Sequence, residues 1–91
     1  MNKSELITSM AEKSKMTKKD AEIVLKAFIE TVEETLETGE KVQLVGFGTF
    51  ETRKRAARIG RNPKTKEEIQ IPESTVPVFK PGKEFKERVN K

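Results

Sequence analysis

Apolar residues recur at helical spacing along the first 38 residues of the chain. Asn2 is a suitable cap for a first helix that runs to Glu12, and Glu5 completes a capping-box pattern with it. A second helix is predicted to begin at a Thr17 cap, with Asp20 in the reciprocal capping position, and to end at Gly39. Its apolar positions follow the period of one helical face, and they are Ala21, Val24, Leu25, Phe28, Ile29, Val32 and Leu36.

After residue 40 the spacing of the apolar residues changes from helical to alternating. Residues 42–44 and 50–52 alternate apolar and polar side chains on either side of a glycine-rich turn at 46–48. This pattern predicts strands with one buried face. The second alternation continues into a basic segment, which ends in a turn at 62–65 that is rich in turn-forming residues.

The C-terminal part contains a return strand and a short helix. Apolar residues alternate again over 69–78, but Pro72 and Pro77 interrupt the stretch. It is therefore expected to be an edge strand or to be broken into pieces. Phe85 and Val89 then lie on one side of a last short helix. The predicted order of elements is ααβββα, an α+β fold in a single domain over residues 1–91, with no repeat or linker.

The composition makes a stable monomer and an enzyme poor candidates. The 91 residues are 33% hydrophobic and 37% charged, against about 45–50% apolar, glycine included, and about 25% charged in typical domains. A second subunit is therefore expected to complete the core. Cysteine and histidine are absent, which removes the usual nucleophile, general base and metal ligands. No metal, cofactor or catalytic residue is predicted.

The location is also constrained by the sequence. No apolar run approaches the roughly 20 residues that a membrane helix needs, and the N-terminus lacks the apolar stretch of a signal peptide. The chain is expected to be an intracellular binding or structural protein.

Positive charge is concentrated in one internal segment. Residues 1–45 carry seven lysines and nine acids, a balance of −2, whereas residues 46–91 carry twelve basic residues and six acids, a balance of +6. The fourteen residues from 53 to 66 contain no acid. Their seven cations are Arg53, Lys54, Arg55, Arg58, Arg61, Lys64 and Lys66. Such a footprint favours binding to a polyanion.

The basic segment spans a strand–turn–strand unit with too few large apolar residues to pack as a core. It is expected to project as an arm that fits a groove of duplex DNA. Arg58 and Arg61 could reach the negative minor groove, whereas Pro63 at the tip is either a wedge between base steps or only a turn former. The side chains expected near phosphates are Arg53, Arg55, Lys64 and Lys66.

Other binding modes fit the sequence less well. Residues 18–38 carry six acids against three lysines, so the second helix would repel DNA as a helix-turn-helix reader. Five phenylalanines without tyrosine or tryptophan offer few stacking platforms for single strands. A cation site at Glu33, Glu34 and Glu37 is less favoured than a solvated acidic helix face. A structured RNA remains an alternative partner on charge alone.

Several motifs together resemble the HU/IHF family of bacterial DNA-binding proteins. They are Val45–Phe50 (VGFGTF), Arg58–Thr65 (RIGRNPKT) and Ile69–Pro72 (IQIP), together with the opening MNK and the closing FKPGK at 79–83. The resemblance covers the whole chain. It implies a nucleoid-associated protein that binds and bends double-stranded DNA with little sequence preference, and that favours nicked or distorted DNA. A sequence-selective relative of the IHF type is the nearest alternative.

The resemblance also implies an architecture and a set of contacts. The fold would be an intertwined homodimer, in which residues 1–39 form a helical base and residues 40–91 form a three-stranded saddle sheet, an arm at about 53–75 and a C-terminal helix. Pro63 at each arm tip would be partly intercalated in the minor groove. The other family positions near DNA correspond to Arg55, Arg58, Arg61 and Asn62 in the arm, to Gly46 and Gly48 in the saddle turn, and to Lys3, Lys80, Lys83 and Lys86 at the flanks.

The residues predicted to form the core or the dimer contact combine the helical stripe with the strands. They are Phe28, Ile29, Val32, Leu36, Leu44, Phe47, Phe50 and Phe79. Phe47, Phe50 and Phe79 resemble the aromatic core at the family's dimer interface.

One departure from the family concerns the turn between the two N-terminal helices. Many relatives place a glycine there, whereas this chain has Ser14-Lys15-Met16. If the backbone does not need a positive φ at this turn, the absence of glycine should stabilise the fold by about 0.4–1 kcal/mol.

Overall fold

The computed structural model describes residues 1–90 and confirms the α+β class. These residues form two compact units, residues 1–34 and the described part of residues 35–91. Their elements are α1 (Lys3–Ser14), α2 (Lys18–Glu37), β1 (Val42–Leu44), β2 (Gly48–Arg55), β3 (Arg58–Arg61), β4 (Glu68–Ile71), β5 (Ser74–Pro81) and α3 (Lys83–Val89).

Both predicted helix caps in the N-terminal unit are present. The Asn2 Oδ1 accepts a hydrogen bond from the Glu5 backbone N–H at 2.9 Å, and the Thr17 Oγ1 accepts one from the Asp20 N–H at 3.1 Å. Each bond satisfies a donor that the first helical turn leaves without a backbone partner. The buried residues of this unit come from the two apolar faces, and they are Ile7, Ala11 and Ala21, with Met10 and Leu25 packed against them.

The ends of α1 and α2 adopt the same backbone conformation with different residues. At the end of α2, Gly39 has φ 87°, and Glu40 donates to the Thr35 carbonyl at 3.3 Å. At the end of α1, Lys15 has φ 61° and ψ 30°, and Met16 donates to the Ala11 carbonyl at 3.1 Å. The turn therefore has a positive φ, and the condition on which a gain from losing glycine was expected is not met. A side chain with a Cβ is strained in this conformation by about 1–2 kcal/mol.

The C-terminal unit contains a three-stranded antiparallel sheet in the order β1-β2-β5 and a separate β3-β4 ribbon. The two long strands expected from the alternation are interrupted at residues 56–57 and 72–73, which gives five strands instead of three. Pro72 lies in the second break, and Pro77 lies in β5, at the edge of the sheet. Both consequences expected from the prolines are therefore present.

The predicted core is not enclosed within one chain. Phenylalanine rings cluster beside α3, with 4.9 Å between the ring centroids of Phe47 and Phe85 and 4.8 Å between those of Phe50 and Phe79. Nevertheless Phe47 is 43% exposed, and Phe28 and Ile29 on α2 are 41% and 43% exposed. Among the predicted core residues in the part of the chain described, only Leu36 is buried.

The strain at Lys15 gives a first prediction. Lys15→Gly should raise the free energy of unfolding by about 0.5–1 kcal/mol, because relief of the left-handed strain exceeds the entropy that glycine adds to the unfolded chain. Thermal unfolding at a fixed protein concentration measures the effect. Lys26→Gly in the middle of α2 removes the same charge and should lower stability by about 1 kcal/mol. A lower unfolding temperature for Lys15→Gly would contradict the strain.

Candidate nucleic-acid interface

The register of the sheet places its aromatic side chains on one face and most of its charged side chains on the other. Phe50 lies between Val42 of β1 and Phe79 of β5, and α3 packs on this side through Phe85, whose ring centroid is 6.0 Å from that of Phe79. Side chains alternate between the faces of a strand, so the neighbours of these residues lie on the opposite side. We call that side the polar face. It also includes Val78 and Val76 of β5, which pair with Glu51 and Arg53. Its polar residues are Lys41, Gln43, Thr49, Glu51, Arg53, Arg55, Ser74 and Lys80.

The polar face gathers some of the predicted residues and adds one that sequence reasoning missed. Arg53, Arg55 and Lys80 were predicted near DNA, and they share this face. Lys41 was not predicted, although it directly precedes β1 and its Nζ lies 3.9 Å from Glu51 Oε2. The alternation that starts at Val42 already places residue 41 with the polar positions, so the signal was available in the sequence.

The β3-β4 ribbon forms the predicted arm. Residues 53–66 contain no acid, but the returning part of the ribbon does, so the arm as a whole is less basic than that segment. Arg61 pairs in register with Glu68, and Arg58 pairs with Ile71. Because Arg58 and Arg61 are three residues apart on one strand, their side chains leave opposite faces of the ribbon. The segment 53–75 has seven basic residues and three acids, Glu67, Glu68 and Glu73, which leaves +4.

Asn62 organises the tip of the arm. Its Oδ1 accepts a hydrogen bond from the Lys64 N–H at 2.9 Å, and its carbonyl accepts one from the Lys66 N–H at 2.7 Å. Its own N–H donates to the Glu67 carbonyl at 2.9 Å. This asparagine turn leaves Pro63 exposed at the tip. The side-chain oxygen of Asn62 therefore has a structural role in addition to any contact with DNA.

The turn between β1 and β2 needs its glycines for packing. Gly46 has φ 86°, a conformation that favours glycine. A Cβ on Gly48 would lie 2.6 Å from the Lys80 carbonyl oxygen and 2.6 Å from the Phe79 ring. Phe47 closes the turn by donating its N–H to the Leu44 carbonyl at 2.9 Å. Gly48 thus allows β2 and β5 to approach closely beside the aromatic cluster, and Gly46 supplies the positive φ of the turn.

The remaining predicted contacts lie on helices. Lys3 is the first residue of α1 in the N-terminal unit, and Lys83 and Lys86 are exposed on α3 in the C-terminal unit. Within residues 1–90 no three acidic side chains, including Glu33, Glu34 and Glu37, are placed to hold a metal ion. None of the described helices is long and apolar enough to cross a membrane.

Comparison with known proteins places this geometry among DNA-binding proteins. The profile of the bacterial DNA-binding protein family matches residues 1–90. The chain is 80% identical over 91 residues to the DNA-binding protein HU of Clostridium pasteurianum, with both chains fully covered. It is 56% identical over 89 residues to the DNA-binding protein HU of Geobacillus stearothermophilus, which covers 98% of this chain and 99% of the relative.

Solved structures show the same fold. The structure of Anabaena HU in a cocrystal with DNA superposes with a TM-score of 0.93 at 54% identity, and the match covers 99% of this chain and 98% of that one. HU from Thermotoga maritima superposes with a TM-score of 0.70 at 40% identity, over 99% of this chain and 100% of that one.

The close approach at Gly48 gives a second prediction. Gly48→Ala should lower the free energy of unfolding by about 1–3 kcal/mol, because the added methyl group meets backbone and a packed ring. In Gly60→Ala the methyl group would meet the end of the Ile71 side chain at 3.1 Å, and the change should stay within about 0.5 kcal/mol. Urea unfolding of both variants measures the difference. Equal stability of the two variants would show that β2 and β5 are not packed this closely.

Proposed function

Because the chain belongs to the HU family of bacterial DNA-binding proteins, we propose that it binds double-stranded DNA with little sequence preference and bends it. Members of this family are architectural DNA-binding proteins and not enzymes. The proposed site of action is therefore the bacterial nucleoid. In this proposal residues 1–39 form the dimerisation part, and residues 40–91 supply the sheet, the arm and the C-terminal helix.

The observation that carries the proposal is the concentration of charged side chains on one face of the sheet, opposite the aromatic cluster. The side chains of Arg53 and Arg55 project from the polar face near the end of β2. The chain continues from there into the arm. Basic side chains therefore continue from the sheet into the ribbon. Such a row of cations can contact successive phosphates of a DNA backbone. Lys3, Lys83 and Lys86 would meet the backbone of DNA that bends toward the flanks.

A homodimer is proposed because one chain leaves its apolar residues uncovered. The exposed groups include Phe28, Ile29 and Phe47, each more than 40% exposed. Full burial of an exposed side chain of this kind stabilises a protein by about 1.5–3 kcal/mol, so covering the part that is still exposed contributes a fraction of this for each residue. A second copy that covers them would also supply a second arm, so that the two arms could hold the duplex from both sides.

The arm is suited to the minor groove. Arg58 and Arg61 leave opposite faces of the ribbon, so a ribbon in the groove presents a guanidinium group to each side, where the negative potential attracts it. Pro63 is exposed at a tip that Asn62 holds in shape. We propose that Pro63 enters between base steps and stabilises a kink.

The proposal predicts a preference for flexible DNA. A duplex with a central nick bends at lower cost than an intact duplex of the same sequence, so it should bind more tightly. If 6–10 phosphates are contacted, the affinity for both should fall about 10³–10⁵-fold between 50 and 200 mM salt. Titration of both duplexes at the two salt concentrations measures both effects.

Each result of this titration is informative. Equal affinity for nicked and intact DNA would contradict bending and leave a basic protein that coats the duplex. Strong discrimination between unrelated intact duplexes would instead indicate sequence selection of the IHF type, and tighter binding of duplex RNA would contradict the choice of DNA.

The proposed wedge gives a separate prediction. Pro63→Ala should reduce the bend angle, because an apolar ring no longer separates the base steps, while the salt dependence stays unchanged. Energy transfer between dyes at the duplex ends measures the angle. Lys64→Gln, at the next position, should instead reduce the log–log salt slope by up to about 0.9 and leave the angle close to that of the parent. Equal bend angles for Pro63→Ala and the parent would exclude the wedge.

A further inference from the structure

One acid lies within the otherwise basic and neutral polar face. Glu51 lies on this face in the central strand, β2, and its side chain is only 14% exposed. Its Oε1 lies 3.2 Å from Lys80 Nζ, and its Oε2 lies 3.9 Å from Lys41 Nζ. The carboxylate thus lies near one lysine on each side of β2, namely Lys41 next to β1 and Lys80 of β5. Arg53 follows Glu51 by two residues on the same face.

The burial of the Glu51 carboxylate distinguishes its contacts from the ion pair between Lys54 and Glu73. Lys54 Nζ and Glu73 Oε1 are 4.0 Å apart, with side chains that are 79% and 60% exposed. Pairs of that kind are screened by solvent and contribute little. The lysines that face Glu51 are similarly exposed, at 67% for Lys41 and 60% for Lys80. The carboxylate itself is shielded and therefore screened less, so its charge acts more strongly on groups that approach the polar face.

We propose that Glu51 is an internal counterion that competes with DNA phosphates for Lys80 and Lys41, an inference that rests on the proposed function. In the free protein the carboxylate occupies the position of an anion on the polar face. A phosphate that approaches Lys80 must displace the ammonium from Glu51 or remain close to a like charge. Contact of DNA with the sheet therefore carries a cost that contact with the exposed arm cations Lys64 and Lys66 avoids.

Because of this exchange, the charge of Glu51 affects the affinity of the sheet for DNA. Without the charge of Glu51, both lysines are available to phosphates. In addition, no salt cation from solution is taken up to neutralise Glu51 when DNA binds its lysines. Both changes strengthen binding, and the second makes the salt dependence steeper.

The test compares Glu51→Gln with Glu12→Gln, which removes the same charge from an exposed position on α1. At low salt, Glu51→Gln should bind intact duplex DNA about three- to tenfold more tightly than the parent, with a log–log salt slope steeper by up to about 0.9. Glu12→Gln should gain less than about twofold. Glu51→Asp keeps the charge and should stay close to the parent.

A double-mutant cycle connects the effect to the lysine. In a Lys80→Gln background, Glu51→Gln should lose most of its gain, because the main partner of the carboxylate is already absent. Affinities are measured at a temperature at which circular dichroism shows every variant folded. Equal gains for Glu51→Gln and Glu12→Gln, weaker binding of Glu51→Gln, or an unchanged gain without Lys80 would each overturn the inference. Failure of the parent itself to bind duplex DNA would contradict the proposed function instead.

Discussion

The two-sided sheet is the constraint on which the rest of the structure depends. Antiparallel pairing places Phe50 beside Phe79 on one face and Glu51 beside Lys80 on the other. Since the faces alternate residue by residue, a shift of the register by one position would exchange cations and aromatic rings. Gly48 holds this register by allowing β2 and β5 to approach more closely than a Cβ permits. Packing and charge placement therefore have a single origin.

The apolar face and the polar face impose different requirements on the molecule. The apolar face includes aromatic rings that one chain covers only in part, which favours association with a second copy. The polar face extends into a ribbon with too small a core to fold alone, so its position depends on the sheet from which it projects. In the proposed function, the aromatic face of this short sheet and the exposed apolar residues of α2 favour dimerisation. The charged face of the sheet favours DNA binding.

Local signals in the sequence were sufficient for much of this architecture. The caps at Asn2 and Thr17 and the strand interruption at Pro72 depend on neighbouring residues, and each could be predicted. Features that depend on cross-strand register could not, because register is set by contacts far apart in sequence: the partnership of Glu51 with Lys80 and the opposition of Glu68 to Arg61 are examples. The positive φ at Lys15 was also missed, since lysine carries no signal for it.

The central claim is that a second copy of the chain completes the apolar core. Sedimentation equilibrium combined with urea unfolding at several protein concentrations tests it most directly. The account predicts a folded species of twice the 10.4 kDa chain mass and an unfolding midpoint that rises with protein concentration, as for an obligate dimer. A folded species with the mass of one chain and a midpoint independent of concentration would contradict it.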